Sequence, residues 1–226
     1  MTGMKTATPF ALLMLWVSLG FVLALSGCGG TEPVRYSEVA TTTYLAPNDG
    51  SDAETVPYRF ASPVDWRTYN KAIIDPVVIY HGPDAQFEDL SDKDKEALAR
   101  YMEKQFTKRL KQRFTLVDSV QPNTIRLRLT LTGAETSTAV LSTLSRFDIA
   151  GSIYNGVQAA RGGEGMLTGS VSYVVEIFDA TTSKLLSAYI TKQYPGPYNL
   201  GATMGSLSAS EVGIDKGADA LLKQLD

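Results

Sequence analysis

Cys28 and His81 are the only side chains of their kinds in 226 residues, so any thiol or imidazole chemistry must pass through them. A lone cysteine cannot close an internal disulfide or build a cysteine-rich zinc site. A lone histidine excludes two- and three-histidine metal centres. His81 follows an apolar run and opens a loop that holds Asp84 and Glu88, so a Ser-His-acid arrangement would have to use it. No G-x-S-x-G elbow accompanies it, and the plainer expectation is a partly exposed loop histidine. The segment from Gly196 to Thr203 has the glycine spacing of a phosphate loop, but Ala202 stands where the lysine belongs and Pro197 removes a backbone donor. Gly162-Gly163-Glu164-Gly165 does not complete G-x-G-x-x-G and reads as a turn. Acidic residues are scattered, without the pairing that glycoside hydrolysis or a metal site needs. No catalytic set and no cofactor are expected.

Cys28 has a different setting. Lys5 is the only charge among residues 1–28, and Phe10 to Leu25 is an uncharged apolar run. A basic start, an apolar middle and small residues before a cut describe a secretory signal peptide over residues 1–27. The run is shorter than the ~20 residues that span a bilayer comfortably. Leu25-Ser26-Gly27-Cys28 resembles a bacterial lipobox. The resemblance implies a diacylglyceryl group on the Cys28 thiol, cleavage before Cys28 and, in many bacteria, acylation of the new amino group. Several acyl chains anchor firmly, because each buried methylene contributes about 0.8 kcal/mol. Gly29, where Asp would retain such a protein at the inner membrane, points to the inner leaflet of the outer membrane, facing the periplasm.

Charge and composition bound the rest. With 24 acidic and 21 basic side chains the net charge is −3, which argues against a nucleic-acid partner. Loss of residues 1–27 removes one lysine and no acid, leaving −4. A hydrophobic share of 44% is enough for a folded domain. Residues 28–57 are rich in Gly, Thr, Ser, Asp and Pro and read as the acylated cysteine followed by a flexible linker, about 30 Å long on average. Residues 58–226 form one globular domain.

Residues 71–80, KAIIDPVVIY, read as a buried strand in which Pro76 marks an edge or a bulge. Ser91 caps a helix with Asp92 and Asp94 in its first turn and Leu98, Met102, Phe106 and Leu110 on one stripe. Arg100, Lys104, Lys108 and Lys111 fall on the opposite stripe, which reads as the solvated face or as a contact for anionic lipid or an acidic partner. Residues 114–117 form a short strand. In TIRLRLTLT, apolar Ile125, Leu127, Leu129 and Leu131 alternate with Arg126, Arg128, Thr130 and Thr132, so one face is buried and one is wet. Residues 133–165 are an irregular insert with a short helix near 152–160. SVSYVVEIFD and KLLSAYITKQY form a hairpin, with Val171, Tyr173, Val175 and Ile177 on one face. Ser208 and Glu211 match a capping box before a final helix striped by Ile214, Ala218, Leu221, Leu222 and Leu225. The order β-α-β-β-insert-β-β-α predicts an α+β, two-layer fold: a mixed or antiparallel twisted sheet with two helices packed on one face.

Several of these stretches are similar to a known family. Trp66 to Lys71, Ile74-Asp75-Pro76-Val77, Phe114 to Asp118, Thr124 to Arg128, Glu176 to Thr182 and Ile214-Asp215-Lys216 resemble candidate bacterial lipoproteins catalogued as domain of unknown function 3313. The resemblance spans about residues 55–225 and rests on framework residues. It implies the fold and the envelope setting, and it supplies no activity and no catalytic residue. Gly217 departs from it, standing where an aromatic residue is expected. The β-α-β-β order is also similar to domains of lipoproteins that assist secretion or lipid transport, an analogy of fold alone. Three functions are open: a non-enzymatic, membrane-anchored binding or assembly module with an unknown envelope partner, an accessory subunit of an envelope lipid-transport or secretion system, and a periplasmic hydrolase.

Overall fold

A computed structural model describes residues 31–136, 157, 169–196, 199 and 205–226. The chain divides into two units, Met1–Glu32 and Pro33–Asp226. The fold that follows is that of the second. The signal segment, Cys28 and nearly all of the insert, including the helix expected near 152–160, lie outside the described residues.

The second unit has eight strands: β1 (Ala46–Pro47), β2 (Tyr58–Ala61), β3 (Lys71–Ile74), β4 (Val78–Ile79), β5 (Thr115–Leu116), β6 (Thr124–Glu135), β7 (Ser170–Asp179) and β8 (Leu185–Gln193). Helix α1 (Asp92–Leu110) lies between β4 and β5, and α2 (Ser208–Leu225) closes the chain. The sheet order is β1-β2-β8-β7-β6-β3-β5, with β4 also paired to β6. β3, β4 and β5 join by parallel pairing, and all other pairs are antiparallel. This is the expected mixed two-layer α+β fold.

Helix α1 starts as its sequence requires. The Ser91 hydroxyl accepts from the Asp94 N–H at 3.2 Å, and acids occupy the positive end of the helix. Leu98, Met102, Phe106 and Leu110 are all buried against Ile125, Leu127, Leu129 and Leu131 of β6 and Val171, Tyr173, Val175 and Ile177 of β7. Ile214, Ala218, Leu221 and Leu225 of α2 complete this core. Phe106 and Tyr173 meet edge to face at 5.9 Å.

Four details differ from the sequence reading. Residues 71–80 make two strands, not one. Ile74 pairs with Leu127 and Val78 with Thr130, so the 71–79 side carries one extra residue and Pro76 sits in that break. The capping box does not form: Ser208 is already helical, and its own N–H donates to the Gly205 carbonyl from a preceding turn. The polar face of β6 is wet only in part, because Thr130 and Thr132 are buried while Arg128 is exposed.

The fourth is the largest. Most of the expected linker, from Pro33 onward, belongs to the folded unit. Residues 36–45 cover the sheet face opposite the helices, where Tyr36, Val39 and Leu45 pack with Tyr80, Val174, Ala188 and Ile190. Tyr36 is fully buried, lies 5.3 Å from Tyr80 edge to face, and donates its hydroxyl to Gln86 at 2.8 Å. Burial pushes its pKa up to about 12. The Ser37 N–H donates to Asp84 at 2.9 Å. Further on, β1 adds to the sheet edge, and the Thr55 carbonyl accepts from the Thr191 hydroxyl at 2.7 Å. Turn-rich composition hid this segment, because its apolar residues are spaced to suit a strap and follow neither helix nor strand periodicity.

Candidate functional site

The sequence candidates are not gathered into one centre. Cys28 is outside the described residues, as are Gly162 to Gly165 and most of Gly196 to Thr203. His81 is exposed in the turn after β4, and no described residue hydrogen-bonds to it. Asp84, its nearest acid in sequence, is engaged by the Tyr80 hydroxyl and by Ser37. Arg126 and Arg128 both face Asp75, at 3.7 and 3.6 Å, and Arg128 also lies over the Phe178 ring at 5.2 Å. Arg100, Lys104, Lys108 and Lys111 are exposed along the outer face of α1 beside Glu103 and Thr107, and Arg100 pairs with Glu96. Among the described residues no group of three or more His, Cys, Asp or Glu side chains could hold a metal ion. None of their helices is long and apolar enough to cross a membrane.

On the other sheet face, Lys192 is enclosed 3.6 Å from the Glu135 carboxylate, which also accepts from the Ser170 hydroxyl at 2.7 Å. A buried pair of this kind is costly to break and ties the ends of β6, β7 and β8 together.

One concavity among the described residues is a groove the sequence reading missed. It has a volume of about 450 Å³ and runs between α2 and the strands β8 and β2. Such a volume is within the range of small-molecule sites. It arises from topology: α2 packs over β7 and β8, while β2 and β1 extend the sheet beyond the helix. Side chains from alternate positions of β8, Ser187, Tyr189, Thr191 and Gln193, form its floor. Val56, Arg59 and Ala61 line one side, and Gly217, Ala220, Lys223 and Gln224 of α2 line the other.

Two phenols open on this groove. Tyr189 is 8% exposed and stands directly opposite Arg59 across the β8–β2 ladder. Tyr173, 1% exposed, reaches it beside Gly217. A Cβ at Gly217 would lie 1.6 Å from the Tyr173 hydroxyl oxygen, so only glycine lets helix and phenol share this space. Burial raises the pKa of Tyr189, against a small opposing pull from Arg59, and burial also raises that of Tyr173, helped by Tyr189. Both phenols therefore stay protonated and act as hydrogen-bond donors at neutral pH. At the mouth, Arg59 pairs with Asp52 at 2.5 Å. The groove offers donors on a mixed lining of polar and apolar side chains, and its described residues hold no nucleophile–base pair. The available signal was the alternation in KLLSAYITKQY, which puts Tyr189 on the helix side. Where α2 would end was not readable.

The model of the family described as a protein of unknown function, DUF3313, matches residues 35–221. The chain belongs to this family. The DUF3313 match begins well before Tyr58, in keeping with the strap of residues 36–45. No curated protein matches the chain. Among solved structures, a PelC dodecamer from Paraburkholderia phytofirmans and a point variant of it each share 9% identity with this DUF3313 chain at a TM-score of 0.36. Each covers 70% of this chain, and 92% and 89% of their own chains are matched. A likeness at that level carries no argument.

Proposed function

We propose that this DUF3313 protein is a lipid-anchored envelope protein, acylated on Cys28, whose folded unit is a non-enzymatic binding or assembly module facing the periplasm. The observation that carries this reading is the uncharged run from Phe10 to Leu25 followed at once by Leu-Ser-Gly-Cys. Gly29 favours the inner leaflet of the outer membrane. The fold sharpens the reading. The compact unit begins at Pro33, so only residues 29–32 separate it from the anchor. Such a tether reaches at most about 18 Å. The module would work close to the bilayer surface, not at the end of a long leash. The groove supports binding over catalysis, since it presents donors without a nucleophile and its base.

Labelling cells with radioactive palmitate tests the anchor. Label on the wild type and none on Cys28→Ala is the expected result, and equal labelling would sink it. The second reading, an accessory subunit of an envelope transport system, is favoured by the mixed apolar and donor lining of the groove. Crosslinking in cells, with capture of a transport component, would separate it from the first. A hydrolase would have to use His81, and unchanged activity in His81→Ala would remove that reading.

A further inference from the structure

We infer that the groove between α2 and strands β8 and β2 binds an amphipathic monoanion, a carboxylate carried on an acyl or aromatic body. The inference rests on the binding-module part of the reading above and is independent of the anchor.

Each part of the ligand answers to a part of the groove. Val56 and Ala61 on one side, Ala220 on the other and the Tyr189 ring give apolar surface for the body. The hydroxyls of Tyr189 and Tyr173 reach the groove, and neither donates to a described protein group. Neither hydroxyl is among the described buried side-chain atoms that lack a partner, so both are open to water at the groove and available to a ligand acceptor. At the rim, Arg59 and Lys223 stand against the single acid Asp52, leaving one positive charge in excess. Protonated donors under a net cation select an anionic acceptor over a cationic or donor-only group. The volume of about 450 Å³ suits one small molecule. Gly217 is part of the site, because a side chain there would displace the Tyr173 hydroxyl from the groove.

Photocrosslinking tests this on the full chain in its own membranes. The probe is dodecanoate carrying a diazirine near its methyl end, and modified peptides are mapped by mass spectrometry. Adducts should concentrate on peptides holding Val56, Tyr189 and Ala220. Excess dodecanoate should suppress them, whereas dodecanol and dodecyltrimethylammonium should not. Tyr189→Phe keeps the ring and removes one charge-assisted hydrogen bond, which should lower the yield about tenfold. Ala220→Trp, at an exposed position on the groove wall, should abolish it while leaving the core alone. If Tyr189→Phe does not accumulate, Ala220→Trp alone decides. Adducts spread over the surface, equal suppression by dodecanol, or no effect of Ala220→Trp would each overturn the assignment. Palmitate labelling at Cys28 is unaffected by any of these outcomes, so failure of the site and failure of the anchor can be told apart.

Discussion

Gly217 of α2 stands over the Tyr173 hydroxyl of β7, so close that a Cβ would lie 1.6 Å from that oxygen. This contact sets how near the helix comes to the sheet and leaves a phenol at the groove wall. Replacing Gly217 by Ala should gain up to about 1 kcal/mol of helix propensity. It should lose more to overpacking, because helix backbone and a central strand cannot both shift, giving a net loss of about 1–3 kcal/mol in urea unfolding. In a Tyr173→Phe background the loss should shrink, although the ring carbon at 2.9 Å remains tight. Strict additivity of the two changes would show that the contact is not what couples them.

The strap offers a second test. Tyr36 is fully buried between Tyr80 and the sheet. Tyr36→Ala should therefore cost about 3 kcal/mol in chemical denaturation. A change below about 0.5 kcal/mol is what a flexible linker residue would give, and would contradict the packed strap.

The periodic elements were readable in the sequence because a buried face repeats at a fixed spacing. Leu98 to Leu110 at every fourth residue and Ile125 to Leu131 at every second residue each identify an element and its inner side. Residues 36–45 have no such repeat. Their burial depends on Tyr36, Val39 and Leu45 meeting Val174 and Ile190, which are more than a hundred residues away in the chain. The groove was hidden for a related reason. Its floor residues lie on one readable strand, but its walls come from Val56, Arg59 and Gly217, which only the sheet order brings together. Gly217 looked like a departure from the family pattern, and its reason is the tyrosine beneath it.

The seam between the helices contains an ion pair whose partners differ in burial. Arg109 is largely enclosed and meets Asp219 at 2.7 Å and Asp215 at 3.7 Å. One Asp215 carboxylate oxygen is buried without a hydrogen bond, so it depends on the nearby guanidinium. Arg109→Met should destabilise by about 2 kcal/mol, since it strands that oxygen. Asp219 is mostly exposed, so Asp219→Asn should cost under about 0.5 kcal/mol. Equal losses in urea unfolding would contradict the asymmetry.

Stability should also depend on pH through Tyr69 and Asp179, joined by a 2.8 Å hydrogen bond. Burial pushes the Asp179 carboxyl up, but the N–H groups of Thr182 and Thr181 and the Tyr69 hydroxyl outweigh it and hold it below the usual range. A lowered carboxyl contributes stability that is present above its unfolded value of about 3.9 and is lost as pH falls through the folded value. Tyr69 is shifted the other way, up to about 12, by burial and then by Asp179. Its contribution is full below about 10 and fades as pH rises toward 12. Melting temperature against pH should lose part of its acid slope in Asp179→Asn and part of its alkaline slope in Tyr69→Phe. Unchanged slopes would show that the pair is not linked to folding.

The central claim of the proposed function is the lipid on Cys28, and the mass of one peptide tests it most directly. Trypsin cuts after Arg35 and finds no site between Cys28 and Arg35, so the mature N-terminus is released as residues 28–35. The account predicts that this peptide from purified membranes carries a diacylglyceryl group on the thiol. Recovery of residues 6–35 as one unmodified peptide, with the signal segment uncut, would contradict it.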